Sequence, residues 1–142
     1  MTILIRAPEL QDIPAIVQLI SELAATAGEM SPINPDYVNQ YLNSPISRIL
    51  LAEVDGEIVG LMSYSIRPDL YHAGDCGLIE ELIVRDGKRN RGIGSAMLKD
   101  LFARLAGCKE ISVGVMTENS EALKFYRRQG LDEEAVLLEK HF

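Results

Sequence analysis

The chain has 142 residues, 47% of them hydrophobic and 25% charged, a composition that suits one folded domain over residues 1–142 and leaves no room for two. A net charge of −7 at pH 7 repels nucleic acid and anionic membrane surfaces, so neither is expected as a partner. No apolar run reaches the roughly 18 residues of a membrane span, and "MTILIRAPELQDI" lacks the basic start and long apolar core of a secretion signal, so a cytoplasmic location is expected.

In chain order, Ile3–Arg6 reads as a short first strand. Ile13, Ile16, Val17, Ile20, Leu23 and Ala24 recur at helical spacing, with Asp12 placed to cap, Pro14 in the first turn and Gly28 as the stop. A loop with Pro32 and Pro35 leads to a shorter helix over Tyr37–Leu42. Two β-rich runs in "SRILLAEVDGEIVGLMSYSI" flank Asp55-Gly56, a strong hairpin signal. After a loop with Pro68, Gly74 and Gly77, "LIEELIV" (78–84) is a strand with two glutamates in its middle. Leu98, Leu101, Phe102 and Leu105 predict a helix that opens at Gly92 and stops at Gly107. "ISVGV" (111–115) is the next strand, Ser120–Gln129 a helix closed by Gly130, and "AVLLEKHF" (135–142) a last strand. The order β-α-α-β-β-β-α-β-α-β implies an α/β fold, a mixed and mostly antiparallel sheet with helices on both faces.

Cys76 and Cys108 form no CxxC pair, and neither His72 nor His141 lies at a metal-ligand spacing, so two reduced thiols and no catalytic metal are expected. The informative segment is "VRDGKRNRGIGSAML" (84–98), where Arg85, Lys88, Arg89 and Arg91 are opposed only by Asp86 in an otherwise acidic protein. A helix N-terminus offers unpaired N–H groups and the positive end of the macrodipole, and glycines let an anion approach the backbone. "RNRGIGS" therefore reads as a site for an anion, a pyrophosphate being the best fit. The dinucleotide fingerprint GxGxxG fails, because Met97 stands at its third glycine. The Walker loop fails too, because Ile93 and Gly94 stand where Lys and Ser/Thr belong.

Arg89-Asn90-Arg91-Gly92-Ile93-Gly94 instead resembles the central motif, [Q/R]xxGx[G/A], of the GNAT superfamily of acetyl-CoA-dependent N-acetyltransferases. "IRAPELQDI" is similar to that family's opening strand and helix, and "NSEALKFYRRQGL" to its later motif, with Asn119, Ala122, Tyr126 and Gly130 in register and Leu131 where Phe is usual. The resemblance covers nearly the whole chain. It implies a GNAT-like single-domain fold and acetyl-CoA as co-substrate, with no metal. The pyrophosphate would lie on the amides of Arg89, Asn90, Arg91, Gly92, Ile93, Gly94 and Ser95. The pantetheine arm would pair with the main chain of Leu82, Ile83 and Val84, in a gap between that strand and "ISVGV", much as a short peptide adds to a sheet edge. Lys124, Arg127 and Arg128 are placed either to neutralise the nucleotide or to form a solvated face.

Acetyl transfer to an amine needs a neutral nitrogen, a stabilised oxyanion and a protonated leaving thiolate. By resemblance Tyr126 is the acid that protonates the thiolate, although its helical spacing with Ala122, Phe125 and Gln129 also suits packing. Glu80 matches a position that carries a carboxylate base in several members, and Glu81 is the alternative. Period-2 alternation puts the two glutamates on opposite faces, with Glu81 on the face of Ile83. Asn119 would contact the cofactor or cap its helix, and the oxyanion donor would be the N–H near Ile83. Neither cysteine has a histidine partner in its sequence context, so direct attack in a ternary complex is favoured over an acyl-enzyme.

The acceptor would be a primary amine, on a small molecule, a polyamine or a peptide, met by loops 25–45 and 66–77. "SIRPDLYHAGDCGLIEELIV" resembles the matching stretch of aminoglycoside-type and aminoalkylphosphonate acetyltransferases, and Asp69, Asp75, Glu80 and Glu81 would form an acidic approach lined by Tyr71 and His72. Homodimers are common in the family; the sequence shows no interface. A non-catalytic acetyl-CoA-binding or sensing domain is the rival reading, and a nucleotide-binding enzyme using the same helix entrance is a second.

Overall fold

The computed structural model describes residues 1–142. Five strands form one sheet in the order β1 (Ile3–Arg6), β2 (Ser47–Val54), β3 (Glu57–Asp69), β4 (Gly74–Val84) and β5 (Glu110–Val113). Neighbours are antiparallel except β4 and β5, which run parallel and are joined through a helix. The helices are α1 (Ile13–Thr26), α2 (Pro35–Leu42), α3 (Ile93–Arg104) and α4 (Ser120–Arg128). No helix is long and apolar enough to cross a membrane.

Two apolar layers hold these elements to the sheet. The continuous run Ile49-Leu50-Leu51-Ala52 in β2 is buried on both faces, as alternation requires of a strand covered twice. Ile49 and Leu51 join Leu61, Ile83, Ile16, Leu19 and Val38 beneath α1 and α2. Leu50 and Ala52 join Met62, Tyr64 and Ile79 beneath Ile93, Met97, Leu98 and Leu101 of α3.

Most predicted boundaries hold. Asp55 and Gly56 both adopt positive φ (51° and 79°), the geometry of the tight β2–β3 turn. Asn34 caps α2 by accepting from Tyr37 N at 2.9 Å, so that helix opens at Pro35 rather than at Tyr37. Two expectations fail. Residues 66–69 and 74–77 belong to β3 and β4, which continue the ladder to Asp69↔Gly74, so the predicted loop shrinks to the turn Leu70–Ala73. Residues 135–142 form no strand: Val136, Leu137, Leu138 and Phe142 are exposed and unpaired. Strand propensity alone does not hold an extended segment without a hydrogen-bonding neighbour.

Asp12 stands at the N-cap position of α1, but its side chain makes no capping hydrogen bond to that helix and is engaged elsewhere. Its carboxylate accepts Arg6 Nη1 at 2.7 Å, Arg6 Nη2 at 3.0 Å and Glu9 N at 2.7 Å, while Arg6 Nε also reaches Glu53 at 3.2 Å. The result ties β1, β2 and the 3-10 turn before α1 together. The Arg6 hydrogen bonds hold the Asp12 carboxyl below its usual range. Because this carboxyl is more acidic in the folded chain, its stabilisation is present above the unfolded value of about 3.9 and is lost as pH falls through the folded value. Asp12→Asn is therefore expected to lower unfolding free energy by about 2 kcal/mol at neutral pH. Urea titrations should show that deficit shrinking at pH below about 4.

Candidate active site

The segment between β4 and α3 turns through Gly87 (φ 84°), Asn90 (φ 61°) and Gly92 (φ 80°), left-handed positions that aim successive amides to one side. Gly92 is the N-cap of α3 and has no side chain to cap with. The first helical bond is donated by Ala96 to Gly92 O, so the N–H groups of Ile93, Gly94 and Ser95 have no partner within the helix. These amides open onto a cavity of about 490 Å³ lined by Leu82, Val84, Lys88, Arg89, Phe125 and Arg128, among others. Of the predicted segment Arg89–Ser95, all but Arg91 line it. Gly94 has a second reason to be glycine, since a Cβ there would lie 3.2 Å from Phe125 Cζ.

The basic residues divide by role. Arg89 donates Nε to Val84 O at 2.9 Å and closes the loop on itself. Arg85 points away, to Glu57 Oε1 at 3.0 Å and Gln18. Arg127 is paired with Glu134, while its neighbour Arg128 faces the cavity. Of the three cations on α4, then, Arg128 alone lines the cradle.

β4 pairs with β5 only over Cys76–Ile79, in register with Glu110–Val113. From Glu80 to Val84 that edge of β4 has no strand beside it, which is the gap the resemblance implies. On its other edge β4 carries a bulge: Tyr64 pairs with Ile79 and Ser63 with Glu81, leaving Glu80 as the extra residue. The bulge overturns the expectation that the glutamates lie on opposite faces. Glu80 Oε1 lies 3.5 Å from Ser65 Oγ, Glu81 Oε1 accepts from Ser63 Oγ, and Glu81 N donates to Ser63 Oγ at 3.0 Å. Ser63 and Ser65 are two apart on β3, so both carboxylates lie on the α1–α2 face, with Glu81 sharing the side of Ile83 as predicted.

The two glutamates are not equivalent on that face. Glu81 is half-buried and lines a second cavity, of about 540 Å³, between α1, α2 and the sheet; Glu80 is exposed and does not line it. Beside Glu81 sits Tyr41 of α2, whose phenol is pushed up by burial and further by the Glu81 and Glu80 charges, against the lowering effect of Ser47 and Ser63. Tyr41 lies inside the expected acceptor segment 25–45, whereas Ser63 lies outside both expected segments. No sequence signal marks them, because both are single polar residues within ordinary helical and strand patterns.

α4 connects the two cavities. Asn119 at its start lines the α1–α2 cavity and caps the helix by accepting from Ala122 N at 3.1 Å, whereas Phe125 and Arg128 near its end line the cradle. Asn119 thus caps its helix and does not line the cavity at the α3 entrance. Tyr126, near the end of α4, is half-buried against the α3 layer, with its ring edge-on to Phe125 at 5.2 Å. Burial pushes its phenol up to about 12, so it carries its proton at neutral pH. It lines neither of these cavities.

Asp69, Tyr71, His72 and Asp75, expected at the acceptor approach, lie instead at or beside the β3–β4 turn and line neither cavity. Across the β3–β4 turn, His72 Nδ1 lies 2.6 Å from Asp69 Oδ2 and 3.7 Å from Cys76 Sγ, and His72 Nε2 lies 3.4 Å from Glu110. Cys76 therefore does have a histidine neighbour, contrary to the sequence expectation. It is not thereby an activated nucleophile: burial, reinforced by the Asp69 and Glu110 charges, pushes its thiol up.

A profile of the acetyltransferase (GNAT) family matches residues 16–131, and the chain belongs to that family. The aminoalkylphosphonate N-acetyltransferase of Salmonella typhimurium is 30% identical over 122 residues, covering 84% of this chain and 79% of that protein. An aminoglycoside acetyltransferase from an uncultured soil metagenomic sample, crystallised with sisomicin, superposes with a TM-score of 0.81 at 21% identity, over 99% of this chain and 95% of the other. The ribosomal-protein-alanine N-acetyltransferase of Brucella melitensis biovar Abortus 2308 gives 0.83 at 19% identity over the whole of both chains.

The thiols supply a direct check on this geometry. Cys108 is half-buried and Cys76 is 2% exposed. A disulfide reagent added to the native protein is expected to label Cys108 first, and Cys108→Ser should remove the faster phase of thiol release while Cys76→Ser leaves it.

Proposed function

We propose that the protein transfers the acetyl group of acetyl-CoA to a primary amine by direct attack in a ternary complex. The observation that carries this reading is that two cavities on opposite faces of the sheet share the unpaired half of β4. Glu81 faces one of them, and Leu82 and Val84 the other. The cradle fits a diphosphate: three unpartnered amides at a helix N-terminus, with Lys88, Arg89 and Arg128 around them. The free edge of β4 from Leu82 to Val84 suits an extended, amide-bearing arm. The α1–α2 cavity then takes the acceptor. The relatives support an amine as acceptor, one being named for an aminoalkylphosphonate and another having been crystallised with the aminoglycoside sisomicin.

An alkylammonium has a pKa of about 10 and must lose a proton before it attacks. Glu81 takes that proton on this reading, because it lines the acceptor cavity while Glu80 stands outside it. The amine nitrogen forms its bond to the thioester carbonyl carbon, the C–S bond breaks, and Tyr126 gives its phenolic proton to the departing sulfur. By the family resemblance the oxyanion donor is a backbone N–H near Ile83, on the edge of β4 that has no strand beside it. Tyr126 lines neither cavity, and that observation favours a second reading, a non-catalytic acetyl-CoA-binding domain.

Two measurements separate these readings. Tyr126→Phe is expected to lower kcat about 100-fold while leaving the acetyl-CoA Kd nearly unchanged; no loss, or equal loss in both, removes Tyr126 from the mechanism. Glu81→Gln is expected to lower kcat/KM about 100-fold at neutral pH, with much of the loss recovered near pH 10, where the free amine no longer needs a base. Glu80→Gln should retain most activity, and the reverse pattern would exchange their roles.

A further inference from the structure

The acceptor cavity has a chemical character that neither its fold nor its relatives dictate. Ile20 and Leu23 of α1, Ile33, Val38 of α2 and Leu61 of β3 make its walls, and eleven of its seventeen lining residues are hydrophobic. No lysine, arginine or histidine lines it. Its charged groups are two carboxylates, Glu81 on the sheet and the exposed Glu29. Glu81 is held in place by the Ser63 hydroxyl on one side, with the Tyr41 phenol beside it.

We propose that the acceptor is a hydrophobic primary amine with a single ammonium group, its apolar body lying between α1, α2 and the sheet and its nitrogen at Glu81. The inference rests on the reading of this cavity as the acceptor site and adds the class of molecule that fills it. The physical argument is one of matching. An ammonium brought to Glu81 exchanges its water for a carboxylate, and an alkyl or aryl body exchanges its water for aliphatic walls. A phosphonate on the same body would enter a cavity without a cation to receive it, leaving an unpaired anion against Leu and Ile. A polyamine or aminoglycoside brings several ammonium groups to one interior carboxylate, and the remainder would lose hydration with nothing in return. A cavity of this size and lining is one that small, largely apolar ligands fill well.

The test uses the whole protein and acetyl-CoA, reading free thiol release. The probes are n-propylamine, n-butylamine, n-hexylamine, 2-phenylethylamine, 2-aminoethylphosphonate, spermidine and kanamycin. The expected result is that kcat/KM rises about fourfold for each added methylene along the alkyl series, and that hexylamine and phenylethylamine exceed the three highly charged probes at least about tenfold. Absence of a chain-length trend, or preference for the phosphonate, spermidine or kanamycin, would overturn the proposal. Ile20→Arg, checked for its melting temperature, is expected to lower hexylamine turnover about tenfold or more and to raise that of 2-aminoethylphosphonate; hexylamine turnover unchanged in a folded variant would also overturn it. Calorimetry with hexylamine and kanamycin keeps this inference separate from acetyl transfer itself. Hexylamine binding without turnover of any probe would leave the cavity assignment standing and remove the transferase reading, whereas no hexylamine binding and no turnover would remove the cavity assignment.

Discussion

Beyond Ile79, β4 has no strand on one edge and one residue too many on the other. Both departures from a regular ladder arise in the same stretch, and the site is built on them. Loss of β5 exposes backbone donors and acceptors along Glu80–Val84, groups that a folded protein ordinarily pairs. The bulge at Glu80 reverses the parity of the strand, so that Glu81 rather than Glu80 enters the α1–α2 cavity while Leu82 and Val84 turn to the cradle. A strand regular through this region would send Glu81 to the opposite, apolar layer under α3.

The rest of the fold keeps that irregular strand in position. β3 pairs with β4 from Gly60 to Asp69 and is itself paired with β2 over most of its length. The two apolar layers hold α1 and α2 on one face and α3 on the other, and each face carries its own cavity. At the far side, the Arg6–Asp12–Glu53 network attaches the start of α1 to the outer strands. α4 is bound more lightly, by Phe125 and Tyr126 against the α3 layer and by Gln129 Nε2 donating to Ser95 Oγ at 3.0 Å. Like β4, it reaches both cavities, Asn119 at its start in one and Phe125 and Arg128 in the other.

Charge is distributed to match. A protein of net charge −7 concentrates positive groups at the entrance of α3, where unpaired amides already favour an anion, and leaves cations out of the α1–α2 cavity altogether. The two sites thus differ in kind: one is polar and positive, the other apolar with a carboxylate set into it. Not every member of the basic run takes part. Arg85 is held by Glu57 and Arg127 by Glu134, so composition overstates the charge the cradle receives.

The local sequence determined what local physics controls. The periodicities of α1 and α3, the Asp55-Gly56 turn and the glycine-rich entrance of α3 were legible, because a helix face, a left-handed turn and a bare N-terminus each depend on a few adjacent residues. Only the tertiary structure decided the rest. The parity of Glu80 and Glu81 depends on a bulge against β3, and alternation along one strand cannot register a residue that its partner skips. The same holds for Tyr41 and Ser63 beside Glu81, for Cys76 beside His72, and for the unpaired 135–142 segment. Each is a relation between distant backbone positions, set by strand register and helix docking rather than by neighbours in the chain.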